Sequence, residues 1–143
     1  MIKPINFKKI KKVLSQDPNI AVAYILGSYA RGKPHPGSDI DIGLVFKNPS
    51  VLKNYLETHV KYYLLLADYT ESIQDQRELD LVFLQKSPLS LQFETVNEGK
   101  ILYQASPKYE VEYKENVINR YFDYQPFAQE AYHDLRKAIL HEA

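Results

Sequence analysis

Seven consecutive apolar residues, Ile20–Leu26, stand between two breakers, Asp17-Pro18-Asn19 before them and Gly27-Ser28 after. A run this short, bounded by turn residues and carrying β-branched side chains, predicts a buried strand. Beyond it, Tyr29-Ala30-Arg31-Gly32 reads as a short helical turn and Pro34, Pro36 and Gly37 as a stiff loop. A second strand is predicted over Asp39–Phe46. Its alternation puts Ile40, Ile42, Leu44 and Phe46 on one face, and Asp39, Asp41, Gly43 and Val45 on the other.

Helical spacing surrounds these strands. Phe7, Ile10 and Leu14 share a face of an amphipathic helix over Ile5–Gln16. Pro49-Ser50 opens a long helix expected to reach about Gln76. Glu78–Leu84 reads as a third strand with Asp80 opposite Leu79, Leu81 and Phe83. Pro88–Glu98 reads as a helix stopped by Gly99, and Ile101–Tyr103 as a short fourth strand. From Pro107 the chain is helical in character, with a break expected at Gln125-Pro126. Helices and strands in this alternation predict an α/β (α+β) fold: a mixed sheet of three to four strands with flanking helices. With 143 residues and no long linker, the expectation is one domain over 1–143, with residues 107–143 as a C-terminal helical extension.

Composition narrows the class. Hydrophobic residues at 45% and charged residues at 25% are ordinary for a globular domain. No apolar run reaches the roughly 20 residues that cross a bilayer, and the N-terminus has no apolar signal region. The absence of cysteine excludes disulfides and thiolate metal sites. A cytoplasmic protein with no membrane partner is the expectation. The formal net charge of zero gives no sign of a nucleic-acid binder, and no direct nucleic-acid contact is expected. Charge is nevertheless uneven: Lys3, Lys8, Lys9, Lys11 and Lys12 crowd the start, and Asp68, Glu71, Asp75, Glu78 and Asp80 the middle. These are solvated helix faces or a docking surface for a charged partner.

Chemistry gathers at Asp39, Asp41 and Asp80. Period two brings Asp39 and Asp41 to one face of their strand. Two carboxylates held that close repel, and each raises the other's pKa unless a cation intervenes. Such a pair suits magnesium, which prefers hard oxygen ligands and shares them with phosphates. Asp80, on a neighbouring predicted strand, can join them; three carboxylates around one or two metals is an arrangement for in-line phosphoryl transfer. Gly27-Ser28 supplies an anion site where strand turns into helix, because glycine admits close backbone approach and the first N–H groups are free. Arg31, one turn on, is placed to neutralise phosphate charge.

The stretch Gly27-Ser28-Tyr29-Ala30-Arg31-Gly32, a short loop, and Ser38-Asp39-Ile40-Asp41-Ile42-Gly43 resembles the nucleotidyltransferase superfamily that includes DNA polymerase β. That family's signature is Gly-Ser, a spacer of about ten residues and then D-x-D. The fuller pattern is similar to the minimal nucleotidyltransferases (MNT) of bacteria and archaea. Leu79–Leu84 resembles the strand with the family's third carboxylate, and Glu98–Tyr103 its usual end of domain. The resemblance spans roughly residues 5–105.

The resemblance implies a Mg2+-dependent, two-metal transfer of a nucleoside monophosphate. Asp39, Asp41 and Asp80 would be catalytic and hold the metals, with Asp80 helping to deprotonate the acceptor. Gly27 and Ser28 would bind the nucleotide's triphosphate, with Arg31 or Ser38 assisting. It further implies an antitoxin role beside a HEPN-family RNase toxin. AMP would pass from ATP to a tyrosine of that toxin, within a hetero-oligomer. Neutralisation by contact alone is one alternative, and transfer to a small molecule such as an aminoglycoside is another. The chain's small size favours an acceptor that is itself a docked protein.

Other features carry weaker readings. Arg136 and His141 have an R-x4-H spacing known from HEPN RNase sites, but an exposed terminal turn explains them. Tyr109, Tyr113, Tyr121, Tyr124 and Tyr132, from a total of 12 tyrosines, suggest an interface on the C-terminal helices. His35 reads as a loop histidine. His59 and His133 lack partners at zinc-ligand spacing.

Overall fold

A computed structural model describes residues 4–35 and 37–142. The elements follow in the order α1 (Phe7–Ser15), β1 (Ile20–Leu26), α2 (Gly27–Ala30), β2 (Ile40–Phe46), α3 (Tyr55–Thr70), β3 (Leu79–Phe83), α4 (Leu89–Glu98), β4 (Lys100–Gln104) and α5 (Pro107–Glu142). Short 3-10 turns at Pro49–Asn54 and Leu84–Lys86 precede α3 and α4. The strands form one mixed sheet in the order β3-β2-β1-β4. β1 pairs antiparallel with β2 and β4, while β2 and β3 run parallel, joined through α3.

Both faces of the sheet are covered. Ile40, Ile42, Leu44 and Phe46 of β2 pack with Ile10 and Leu14 of α1 and Tyr62 and Leu66 of α3. Across the sheet, Val22, Tyr24, Leu26 and Val45 pack with Val96 of α4 and Tyr113 and Val117 of α5. Double coverage explains why β1 is apolar throughout. Each fully buried aliphatic side chain contributes about 1.5–3 kcal/mol by leaving water. α1 starts where the Asn6 side chain accepts a hydrogen bond from Lys9 N–H at 3.0 Å.

Two helices depart from the sequence reading. The helix expected from Pro49 to Gln76 begins as a 3-10 turn and stops at Thr70. There Arg77, buried, donates from Nε to the Thr70 carbonyl at 2.6 Å, and Ser72 and Arg77 exchange backbone hydrogen bonds at 3.0 and 2.9 Å. The helix end is thereby satisfied by a tight hairpin turn that local pattern does not reveal. The break expected at Gln125-Pro126 is absent: α5 runs through Pro126. The proline removes one helical N–H donor, yet Phe122, four residues back, is exposed, so water can serve its carbonyl.

The C-terminal tyrosines divide. Tyr113 is buried and donates to Gln92 Oε1 at 2.9 Å, and Tyr121 stacks on Phe93 with ring centroids 3.9 Å apart. Tyr124 and Tyr132 are exposed on the outer part of α5. The expected tyrosine-rich interface is therefore split between core and solvent. Arg136 is exposed, while the His141 side chain, Lys3 and Pro36 lie outside what is described. No helix among the described residues is long and apolar enough to cross a membrane.

Candidate active site

The site forms at one end of the sheet, where β1 finishes and β2 and β3 begin. Register does most of the assembly. Leu26 of β1 pairs with Asp41, and Asp41 pairs across the parallel ladder with Asp80. Residues directly opposite on adjacent strands project to the same face, so the two carboxylates converge.

Electrostatics agree with that geometry. Partial burial, then the Asp80 charge and hydrogen bond, then Asp39, push the Asp41 carboxyl up to about 6, against a smaller opposing pull from Arg31. Asp39, just before β2, is exposed, and its Oδ1 accepts a hydrogen bond from Glu78 N–H at 3.1 Å. That bond ties the start of β2 to the start of β3.

Gly27 closes the site from the β1 side. It adopts φ +67°, a left-handed conformation that side chains disfavour. A Cβ built there would collide with the Asp41 carboxylate. Glycine is thus required twice, for the turn and for the approach of the backbone to the carboxylate. α2 is a single turn, so its macrodipole is small. What it offers an anion is the unpaired N–H groups of its first residues. Ser28 is half-buried there, and its carbonyl accepts from Lys33 N–H at 3.0 Å, which closes the turn.

Arg31 caps α2 and lines a recess with Gly27, Glu94, Thr95, Glu98 and Gly99. Glu94 and Glu98 are site neighbours that the sequence reading missed; their spacing of one helical turn was the available signal. Ser38 is buried, and its Oγ accepts from His35 N–H at 2.9 Å while its own N–H donates to His35 carbonyl at 2.9 Å. Ser38 therefore braces the loop that delivers Asp39. His59 is set apart from the site, with its Nε2 at 3.2 Å from the Leu81 carbonyl and its ring stacked on Tyr55 and Tyr63.

The donor set fits a hard divalent cation. Among the described residues no three His, Asp or Glu side chains close into a ready cage. The pair Asp41–Asp80 with Asp39 beside it instead leaves coordination positions open, as magnesium does when it takes water and phosphate oxygens. The mutual repulsion of those carboxylates marks where a cation would be favourable.

The chain matches a solved toxin–antitoxin structure with AMP-PNP at 25% identity and a TM-score of 0.65, over 92% of this chain and 98% of that one. It matches a variant of the MntA-HpeT toxin–antitoxin at 26% identity and a TM-score of 0.67, over 92% and 98%. A structure of a tri-AMPylated Shewanella oneidensis HEPN toxin in complex with MNT antitoxin shares the fold at 22% identity and a TM-score of 0.59, over 91% and 95%. No curated protein sequence matches. The sequence model described as polymerase beta, nucleotidyltransferase, matches residues 8–108, the span that contains all seven candidate site residues, and the chain belongs to that family.

Proposed function

We propose that this chain is an antitoxin nucleotidyltransferase, which transfers AMP from ATP to a tyrosine of a cognate HEPN RNase toxin. The observation that carries the reading is the convergence of Gly27, Asp41 and Asp80 at one sheet end. The likeness to toxin–antitoxin structures, one with AMP-PNP, over nearly the whole length of both chains supports the biological role.

Gly27 and Ser28 would receive the triphosphate through backbone N–H groups and the Ser28 hydroxyl. Arg31 would offset phosphate charge from the α2 side, with Ser38 holding the loop. Asp39, Asp41 and Asp80 would hold Mg2+, which when bound supplies Lewis-acid stabilisation of phosphate charge. In the transfer, the acceptor tyrosine Oη bonds to the α-phosphorus, the bond from that phosphorus to the bridging oxygen breaks, and pyrophosphate leaves. Asp80 would take the phenolic proton. Its exposure on the strand beside Asp41 leaves room for an incoming acceptor.

The test is intact-protein mass spectrometry of a candidate HEPN partner protein, after incubation with the chain, ATP and Mg2+. Mass gains in AMP units that vanish in the Asp39→Asn/Asp41→Asn variant support the proposal. Retained transfer in that folded variant sinks the mechanism. A stable complex without any mass gain would favour neutralisation by contact.

A further inference from the structure

α3 has two apolar faces, and the fold uses one. Tyr62, Leu66 and Thr70, each four residues apart, are buried against the sheet. On the solvent side stand Leu56, Val60 and Leu64, again four apart, at 77%, 47% and 67% exposure. Past the end of α3 the hairpin turn displays a further apolar side chain, Ile73, which is 97% exposed. Ile73 and Gln74 line a surface recess with Ala67 and Asp68, which lie one turn beyond Leu64. Asp68, next in line after Leu64, stands between the stripe and the tip.

The tip is held stiffly. Ser72 and Arg77 bridge it, Gln76 N–H donates to the Ile73 carbonyl at 3.2 Å, and Ser72 Oγ donates to Asp75 at 2.9 Å. Tyr63 donates to Glu71 at 2.6 Å and pins the near strand of the turn to α3. A rigid turn that displays an isoleucine almost wholly to water gives up the burial energy such a side chain normally supplies. Contiguous apolar patches of about a few hundred Å² on a folded chain mark interaction sites.

Position selects the occupant. α3 connects the parallel strands β2 and β3, so its C-terminal end and the turn lie at the end of the sheet where β3 begins, beside the carboxylates. Glu78, at the foot of the turn, bonds directly to Asp39. Gly37, in the loop that leads to Asp39, sits against the Asp75 carbonyl. The rim around Ile73 is acidic, with Asp68, Glu71, Asp75 and Glu78. An apolar strip with an acidic border, leading to the transfer site, fits a protein with an apolar recess set in a basic surface.

We infer that the strip Leu56–Val60–Leu64–Ile73 is the docking surface for the acceptor protein, with Ile73 as the anchor nearest the transfer site. This rests on the proposed protein acceptor. The basic, apolar-centred surface it requires would adjoin the tyrosine that is modified.

The test compares wild type with Ile73→Lys and, separately, Leu64→Lys, both exposed positions whose substitution leaves the core alone. Affinity for the candidate HEPN partner protein is measured by calorimetry, AMP-PNP binding by the same method, and transfer by mass spectrometry. Each variant is expected to weaken the protein complex about 10-fold or more, to raise the KM for the acceptor and to leave AMP-PNP affinity unchanged. Wild-type affinity in both variants overturns the inference. A wild-type chain that binds the HEPN protein and transfers nothing sinks the transfer reading, while the affinity comparison still decides the surface. A homodimer, seen by ultracentrifugation, that both variants dissolve without loss of HEPN binding assigns the strip to self-association and overturns the inference.

Discussion

Gly27→Ala is the most informative perturbation of the site. The structure assigns it two separable costs. The first is conformational: a Cβ at φ +67° costs about 1–2 kcal/mol in the left-handed region. The second is steric, since the new Cβ would strike the Asp41 carboxylate, the end of a rotatable side chain. Turning that carboxyl off its rotamer costs about 0.5–1.5 kcal/mol, and breaks its alignment with Asp80. The sum is about 1.5–3.5 kcal/mol, or roughly 3–14 °C in Tm for a chain of this size. The steric part disappears when Asp41 loses its carboxylate. A double-mutant cycle with Asp41→Ala, run by urea denaturation in EDTA at pH 7, should therefore give a smaller cost for Gly27→Ala in the Asp41→Ala background, by about 1 kcal/mol. Equal costs in both backgrounds would refute the contact between the Gly27 backbone and Asp41. Under the proposed function, Mg2+-dependent binding of AMP-PNP should fall in Gly27→Ala, because the carboxylate that would hold the metal is displaced.

Other predictions follow from single contacts. Asp41 has its folded pKa raised to about 6 from 3.8, so its protonated form is favoured by folding; its contribution is full below about pH 4 and lost as pH rises through 6. Asp41→Asn should thus stabilise the metal-free protein at pH 7 by about 1 kcal/mol, the shift being discounted for partial exposure, and have little effect at pH 4; no gain in urea melts at pH 7 would contradict it. Gly99→Ala should destabilise by about 1–3 kcal/mol in thermal melts, since a Cβ there lies 2.5 Å from the Thr95 carbonyl oxygen and 3.2 Å from that of Ile25. Tyr113→Phe removes the hydrogen bond to Gln92 Oε1, which Arg120 Nη2 still approaches at 3.2 Å, and should cost about 1 kcal/mol by the same assay. Arg77→Ala should lower Tm, with a loss of about 1–3 kcal/mol, because the Thr70 carbonyl that ends α3 loses its buried donor.

The chemistry of this protein was legible in its sequence because it depends on local patterns. The apolar run of β1, the Gly27-Ser28 turn and the alternation of β2 define strand, turn and a carboxylate pair within about twenty residues. Period two alone puts Asp39 and Asp41 on one side. The alternation could not say that both faces of β2 would be covered, since Val45 looks free until α4 and α5 pack over it, and Gly43 until Leu84 and Leu26 close on it.

Tertiary structure decided what depends on register and long-range pairing. That Asp80 stands opposite Asp41, rather than one residue away on the other face, follows from the parallel ladder between β2 and β3. That the Gly27 backbone presses on the Asp41 carboxylate follows from the antiparallel pairing of Leu26 with Asp41. α3 stops at Thr70 because Arg77, seven residues on, folds back to its carbonyl. Propensity is read within a few residues and cannot register such partners. Residue type and spacing set which groups are candidates for chemistry, and strand pairing brings Asp41, Asp80 and Gly27 together.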